Sequence, residues 1–468
     1  MAPEPRIVTA VAMPSATPRV QAAVVGAGAC GLMAAARLAE AGIDCAVIER
    51  DAQPAGSTAL SSGFVPAAGT RAQRAAGVAD TPQAFAVDIQ AKAHGHAAAH
   101  LVRAYTQAIA PTLDWLEERH GLAWELLDGF LYPGHSVRRM HSLPGRTGAA
   151  LVAALDAAAQ RSGALLLTRA RVGELWCKPG GEVIGVAIER PDGAMEYLGC
   201  EVLLLACNGF GGNPAMVAEW LPAMRDAPFA GHAGNDGSAI AWGLQLGAAL
   251  ADLGGFQGHA SWAVPHGALL SWALMMEGGV QVNALGARFH DESQGYSEAA
   301  LQVLAQPGGV VWNVYDDALV ALGRGFPDFR DAEAAGALRS APDAAALARL
   351  IGCDEAALQH TLASVRTGRA DAFGRVFQRK LVPPFHAARV TGALFHTQGG
   401  LAIDEHCRVL RDNGSALPNL LAAGGAARGV SGNTVWGYLS GNGLLSALAG
   451  GTIAAGTALA MLRPSTAR

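Results

Sequence analysis

Three glycines and one glutamate near the start of the chain have the spacing of an anion-binding turn. Gly26, Gly28 and Gly31 form GxGxxG directly after the apolar run AAVV, and Glu49 closes the next apolar run, eighteen residues beyond Gly31. The first glycine permits a tight turn, the second lets backbone approach a pyrophosphate, and the third lets a helix pack on a strand. The glutamate accepts ribose hydroxyls. A helix starting near Ala29 offers N–H donors and the positive end of its dipole to phosphates. The pattern predicts an adenine dinucleotide held by Gly26, Gly28, Ala29, Gly31 and Glu49, with Arg50 beside them. By itself it does not separate FAD from NAD.

Other reactive side chains form weaker patterns. His290, Asp291 and Glu292 are contiguous, so they point in different directions, and no second cluster stands at ligand spacing; no metal is expected. The cysteines (Cys30, Cys45, Cys177, Cys200, Cys207, Cys353 and Cys407) include no CxxC, and seven leave one unpaired in any disulfide scheme. Reduced thiols in the cytoplasm are expected. Trp115, Trp124, Trp262, Trp272 and Trp436 are read as core or as the wall of an apolar cleft.

The elements that position the turn are legible around it. Residues 22–50 read as strand, glycine turn, helix, strand, a βαβ unit. A Gly/Ser/Ala-rich loop follows to Thr70, and helical patterns run to about residue 162. Strand signals return in ALLLTRARVGELWCK, EVIGVAIERPDG and CEVLLLACNGFGG, the last an apolar run suited to a central strand. Residues 263–390 change texture and predict a second, capping domain. The expected division is a flexible tail over 1–20, a cofactor domain over 21–262 and 391–468, and the cap between them.

Composition bounds the rest. At 468 residues, 51% hydrophobic and 16% charged, the chain has material for two cores. A net charge of -5 without a basic run argues against nucleic acid. The N-terminal twenty residues lack the charged start and apolar core of a secretory signal. The apolar stretch Leu439 to Leu462 is rich in Gly and Ala, and a buried helix is expected there in place of a transmembrane segment.

Six segments occur in a diagnostic order: STALSSGFVPAAGT (57–70), VLLLACNGFGGN (202–213), GNDGSAIAWGLQLGA (234–248), ARFHDES (287–293), FHTQGGLAID (395–404) and LLAAGGAARGVSG (420–432). Together they resemble the fumarate reductase, succinate dehydrogenase and 3-ketosteroid dehydrogenase flavoprotein superfamily, from about residue 20 onward. The resemblance implies an α/β fold: a Rossmann-like FAD-binding domain interrupted by a smaller α+β capping domain, with catalysis in the cleft between them. It implies that Ser57, Thr58, Ser62 and Gly63 lie against the flavin. Ala206, Asn208 and Gly209 would lie near the adenine half, Asp236 among the cofactor contacts, and Gly424 with the backbone of Leu444 and Leu445 at the isoalloxazine end. Some members link flavin to a histidine in the segment matching 57–63. None stands there in this sequence, so dissociable, non-covalent FAD is expected.

The resemblance also bears on the reaction. Fumarate reductases carry arginines where this chain has Tyr296 and Tyr438, whereas 3-ketosteroid dehydrogenases carry tyrosines. The implied reaction is desaturation next to a carbonyl: Tyr296 takes the α-proton, the β-hydride goes to flavin N5, and Tyr438 with the backbone N–H near Asn442 stabilises the enolate. A phenol needs help to act as a base, since its ordinary pKa is about 10. Tyr132 and His141 are the candidate helpers. His396 matches a carboxylate-binding histidine of fumarate reductases and, with Arg428 nearby, keeps an acidic substrate in view. A small cyclic ketone or keto acid is one candidate class. A dicarboxylate oxidoreductase is the alternative, and a flavin-stabilised binding module a third reading. The electron acceptor and oligomeric state are not legible.

Overall fold

The computed structural model describes residues 4–128 and 130–463. Its main sheet runs, edge to edge, through Arg408–Leu410, Ala416–Ala422, Val202–Leu205, Ala22–Val25, Cys45–Ile48 and Leu165–Leu167. All neighbours are parallel except the first pair. Val202–Leu205 and Ala22–Val25 lie in the middle, and every residue in both is buried. That burial on both faces is why they read as unbroken apolar runs. Their carboxyl ends lead into Gly26 and Ala206 on adjacent strands, the place where open α/β sheets bind ligands.

The helices Ala29–Glu40, Gly148–Arg161 and Asn442–Leu462 pack together beside this sheet. Asn442–Leu462 is long and apolar enough to cross a membrane. Here one side of it lies along Ala29–Glu40, and its Gly and Ala residues allow the approach: a β-carbon on Gly451 would come within 2.5 Å of the Cys30 carbonyl oxygen.

A second sheet joins Arg6–Thr9, Arg171–Cys177, Val183–Glu189 and Met195–Gly199. Part of the expected N-terminal tail is thus ordered. RIVT is short but β-branched, it adds a parallel edge strand, and Arg6 donates to Glu174 on the neighbouring strand.

The third sheet orders Ala268–Leu269, Phe256–Ala263, Phe385–Thr397, Val310–Asp316 and Val280–Val282, with Leu338–Ala341 also paired to Phe385–Thr397. The domain boundaries expected at 262/263 and 390/391 fall inside two of its strands. The strands themselves run on from the cofactor segments into the cap.

Gly31 is the tightest point of the first βαβ unit: a β-carbon there would overlap the Gly26 carbonyl oxygen and press on Val24. G31A is therefore expected to destabilise the protein by about 1–3 kcal/mol through overpacking. Urea unfolding with an unchanged midpoint would contradict this packing role.

Candidate active site

A single long cavity runs from the first glycine turn to the third sheet. At its near end Gly26 has φ +103°, and a β-carbon on it would sit 2.6 Å from the Ala206 carbonyl oxygen. A β-carbon on Gly28 would meet only Thr58 Oγ1, at 3.6 Å, so this position opens toward the cavity. Gly28 caps the helix Ala29–Glu40 without a side chain, which leaves the helix start facing that space. Glu49 stands at the rim, its carboxylate held by the N–H groups of Ala27 at 2.7 Å and Asp51 at 2.9 Å. An uncapped helix start, a glycine floor and a fixed carboxylate are what a ribose and pyrophosphate require. The residues present fit the adenine dinucleotide.

Most expected cofactor residues line this cavity: Gly26, Gly28, Ala29, Glu49, Arg50, Ser57, Thr58, Ser62, Gly63, Ala206, Asn208, Asp236, Gly424 and Leu444. Their positions are fixed by mutual bonds. Thr58 Oγ1 accepts from Ala29 N (3.1 Å), Ser57 Oγ from Asn235 Nδ2 (2.8 Å), and Asp236 from Arg50 (2.9 Å). Three expected residues stand outside it. Gly31 serves the helix–strand contact. Gly209 is turned toward the Thr397 side chain. Leu445 is fully buried, with its N–H bonded to the Gly441 carbonyl as a regular helix bond.

At the far end two phenols converge from distant segments. Tyr296 opens the helix Tyr296–Leu304, after Gly295 at φ +142°. Tyr438 follows the short turn Val435–Gly437, just before the helix Asn442–Leu462. Their ring centroids lie 6.2 Å apart, edge to face, and both line the cavity while almost wholly buried, at 8% and 5% exposure. Burial pushes the Tyr296 phenol up to about 12, against hydrogen bonds from Ser440 and Tyr438 that favour its anion. Tyr438 is raised well above the ordinary range by burial and by Tyr296, while the Gly441 and Gly443 N–H groups work against the rise.

Tyr132 also lines this end, against Phe130 at 4.6 Å and Phe64 at 6.3 Å. His141, the other candidate helper, does not: its ring is buried between Thr70 Oγ1 (2.8 Å) and the Arg139 carbonyl (2.9 Å). Just before it in sequence Arg139 is fixed to Asp80 and Asp88, while the adjacent Met140 lines the cavity.

Asn442 differs from expectation too. Its N–H is bonded to the Leu439 carbonyl, and its side chain lies behind the cavity wall, donating to Ser431 Oγ at 2.9 Å. Ser431 Oγ donates to Gln398 Oε1 (3.0 Å), and Gln398 Nε2 donates to His396 Nδ1 (2.7 Å). This chain leaves the His396 proton on Nε2. Burial holds the ring near a pKa of about 4, so it is a neutral N–H donor. Arg428 is ion-paired with Asp252 at 2.6 Å and does not line the cavity with His396.

Several lining residues carry no signal in the sequence. His259 stacks on Tyr296 at 4.7 Å, with Nδ1 accepting from Ser261 N, and burial lowers its pKa to about 3. Ser440 and Asp328 also line the space, the latter bonded to Ser62 Oγ at 3.0 Å. Among the tryptophans Trp272 lines the cavity, and so does Trp242. Trp436 is 40% exposed. The ARFHDES segment folds into a buried ionic cluster, Glu292 between Arg288 (2.6 Å) and Arg375 (2.7 Å), with His290 on Gln281. None of its residues lines the cavity, and the Glu292 carbonyl accepts from Trp272 Nε1, which does.

The FAD binding domain family matches residues 21–444. The chain is 27% identical to "Probable fumarate reductase Ifc3" of Shewanella frigidimarina (strain NCIMB 400), over 93% of this chain and 74% of that protein. It is 26% identical to 4-oxocyclohexanecarboxylate 2-dehydrogenase of Sinomonas cyclohexanicum, over 86% and 87% respectively. The solved open conformation of a flavocytochrome c3 fumarate reductase superposes with TM-score 0.82 at 26% identity, covering 96% of this chain and 80% of that one.

The segment 57–63 contains no histidine. Acid precipitation of the yellow protein is therefore expected to release the flavin into the supernatant; a yellow pellet would reveal a covalent link.

Proposed function

The chain belongs to the FAD binding domain family and is an FAD-dependent oxidoreductase acting on CH–CH groups, and we propose that it desaturates a cyclic ketone at the α,β position. The observation that carries this reading is the meeting of Tyr296 and Tyr438 in a cavity end that no arginine or lysine lines among the described residues. The lining arginines, Arg50 and Arg171, are bonded to Asp236 and Glu189 beside the dinucleotide turn. Bound FAD supplies the two-electron acceptor for the β-hydride.

The side chains divide the remaining work. Tyr296 takes the α-proton: its anion is a strong base because burial raises its pKa, and Ser440 remains to solvate the oxygen that forms. Tyr438 donates to the substrate carbonyl, and the Gly441 and Gly443 N–H groups stabilise charge passed back to its oxygen. Both amides stand at the start of the helix Asn442–Leu462, whose dipole favours negative charge there. These two glycines flank Asn442 and supply the backbone N–H groups expected near it, here acting through the Tyr438 oxygen.

The second reading, a dicarboxylate oxidoreductase, draws on the fumarate reductases among the relatives and on His396. A buried carboxylate needs a cation, and without one it costs several kcal/mol. His259 and His396 are both held neutral by burial, and Arg428 is spent on Asp252. Anaerobic bleaching of the flavin by cyclohexanone but not by succinate is the expected result; the reverse pattern would transfer the proposal to the dicarboxylate reading.

Y296F is expected to lower ketone turnover by about 10²–10⁴-fold, the usual contribution of a positioned base, with flavin content unchanged. Normal turnover would remove Tyr296 from this role. The reactive form is the phenolate and its pKa is raised, so its fraction grows with pH below about 12. For the unsubstituted protein, kcat/KM should climb by up to about tenfold per unit from about pH 7 to about pH 10. A flat profile would speak against a phenol base.

A further inference from the structure

The polar groups of the far cavity end include one carboxylate, Asp328, on the second residue of the helix Pro327–Ala334. Its Oδ2 accepts from Ser62 Oγ at 3.0 Å, and among the described residues no hydrogen bond reaches Oδ1. Burial raises its pKa, with Asp331 adding to the effect. The Tyr132 phenol, packed on Phe130 and Phe64, is close enough to feel its charge. Phe130 in turn meets Phe326, two residues before Asp328, at 5.6 Å. The surroundings are otherwise apolar and aromatic: Leu269, Trp272, Phe326 and Phe395 line the same space.

Resting on the ketone reading, we propose that Asp328 is a specificity residue that selects a neutral-bodied cyclic ketone bearing a hydrogen-bond donor, a hydroxyl or an amine, away from its carbonyl. A carboxylate in an apolar wall is costly unless it is hydrogen-bonded. Ser62 satisfies one oxygen, and a substrate O–H or N–H satisfies the other with a charge-assisted bond. A substrate carboxylate at that position meets like charge with no cation to offset it. The ketone end is held by Tyr438 and the donor end by Asp328, so the ring lies between two fixed polar points in a hydrophobic sleeve.

The test uses FAD-loaded Y296F, which allows binding to be measured without turnover. Dissociation constants are read from calorimetry and from the perturbed flavin spectrum. The probes are 4-hydroxy-, 4-amino- and 4-methylcyclohexanone, 4-oxocyclohexanecarboxylate, and the matching 6-substituted 2-decalones. In at least one ring size the hydroxyl or amine should bind at least about tenfold more tightly than methyl, about 1.4 kcal/mol. D328A in the same background should erase that preference, and D328N should improve the carboxylate probe by a similar factor. A preference that survives D328A, or a carboxylate probe that binds best with Asp328 intact, overturns the proposal. If no ketone of either size binds, or none bleaches the flavin of the enzyme with Tyr296 intact, it is the ketone reading that fails. If ketones bind and bleach without regard to Asp328, that reading stands and this one falls.

Discussion

The closeness of two glycine-relieved helices sets the geometry of everything else. Ala29–Glu40 carries the dinucleotide turn at its start, and Asn442–Leu462 carries Tyr438, Ser440 and Gly441 just ahead of its own start. With Gly451 against the Cys30 carbonyl and Gly424 against the Cys30 side chain, the two lie nearly backbone to backbone. Residues four hundred positions apart in sequence are thereby brought to one cavity. A larger side chain at that contact would push the Tyr438 end away from the phosphate end, separating cofactor from catalyst without touching either.

The cap segment is joined to this frame by the strands of the third sheet and, beside the cavity, by polar side-chain ties. Lys92, on the helix Pro82–Lys92, is ion-paired with Glu298, two residues beyond Tyr296, and also donates to the Gln294 carbonyl at 3.3 Å. Ser62 meets Asp328 at the other side of the cavity. Both ties cross from the cofactor segments to the cap next to a residue that faces the substrate space. An ion pair so little exposed is demanding about geometry; it favours one placement of the helix Tyr296–Leu304 over many similar ones. Glu298 shows the cost, since burial raises its pKa and its Oε2 lacks a partner.

The sequence made the cofactor half legible because that half is local. Gly26, Gly28, Gly31 and Glu49 belong to one βαβ unit, and their spacing encodes the turn, the approach and the ribose contact. Tyr296 and Tyr438 were legible only through resemblance, since nothing in their neighbourhood announces a phenol that faces inward. His259 and Asp328 were not legible at all: one lies on a strand read as a domain edge, the other on a short helix in a charged stretch, and folding alone gives either a cavity position. The misreadings have the same origin. Arg428 lies in a motif segment, yet its side chain is spent on Asp252. His141 is spent on Thr70. A motif fixes a residue's place along the chain, and the hydrogen bonds it makes decide which way it points.

On the proposed ketone chemistry, burial also explains why a phenol and not an imidazole serves as the base. Removing a group from water disfavours its charged form, so the same cavity moves tyrosine and histidine in opposite directions. For His259 and His396 the charged form is the acid, and their pKa values fall to about 3 and about 4, which makes each a weak base and a dependable neutral donor. For Tyr296 the charged form is the base, so the rise to about 12 means that each phenolate formed is more strongly driven to take a proton. The loss is in the fraction ionised, which the Ser440 hydrogen bond partly recovers, joined by the Tyr438 O–H until a substrate carbonyl takes that donor. His259, stacked neutral on the Tyr296 ring, adds no charge of its own to that balance. An arginine in this place would stabilise the phenolate further and weaken it as a base, while drawing carboxylates into the cavity. Among the described residues the end of the cavity that holds the two phenols is lined by no arginine or lysine, which is why the proposed substrate is a neutral carbonyl compound, in which charge appears only as the reaction proceeds.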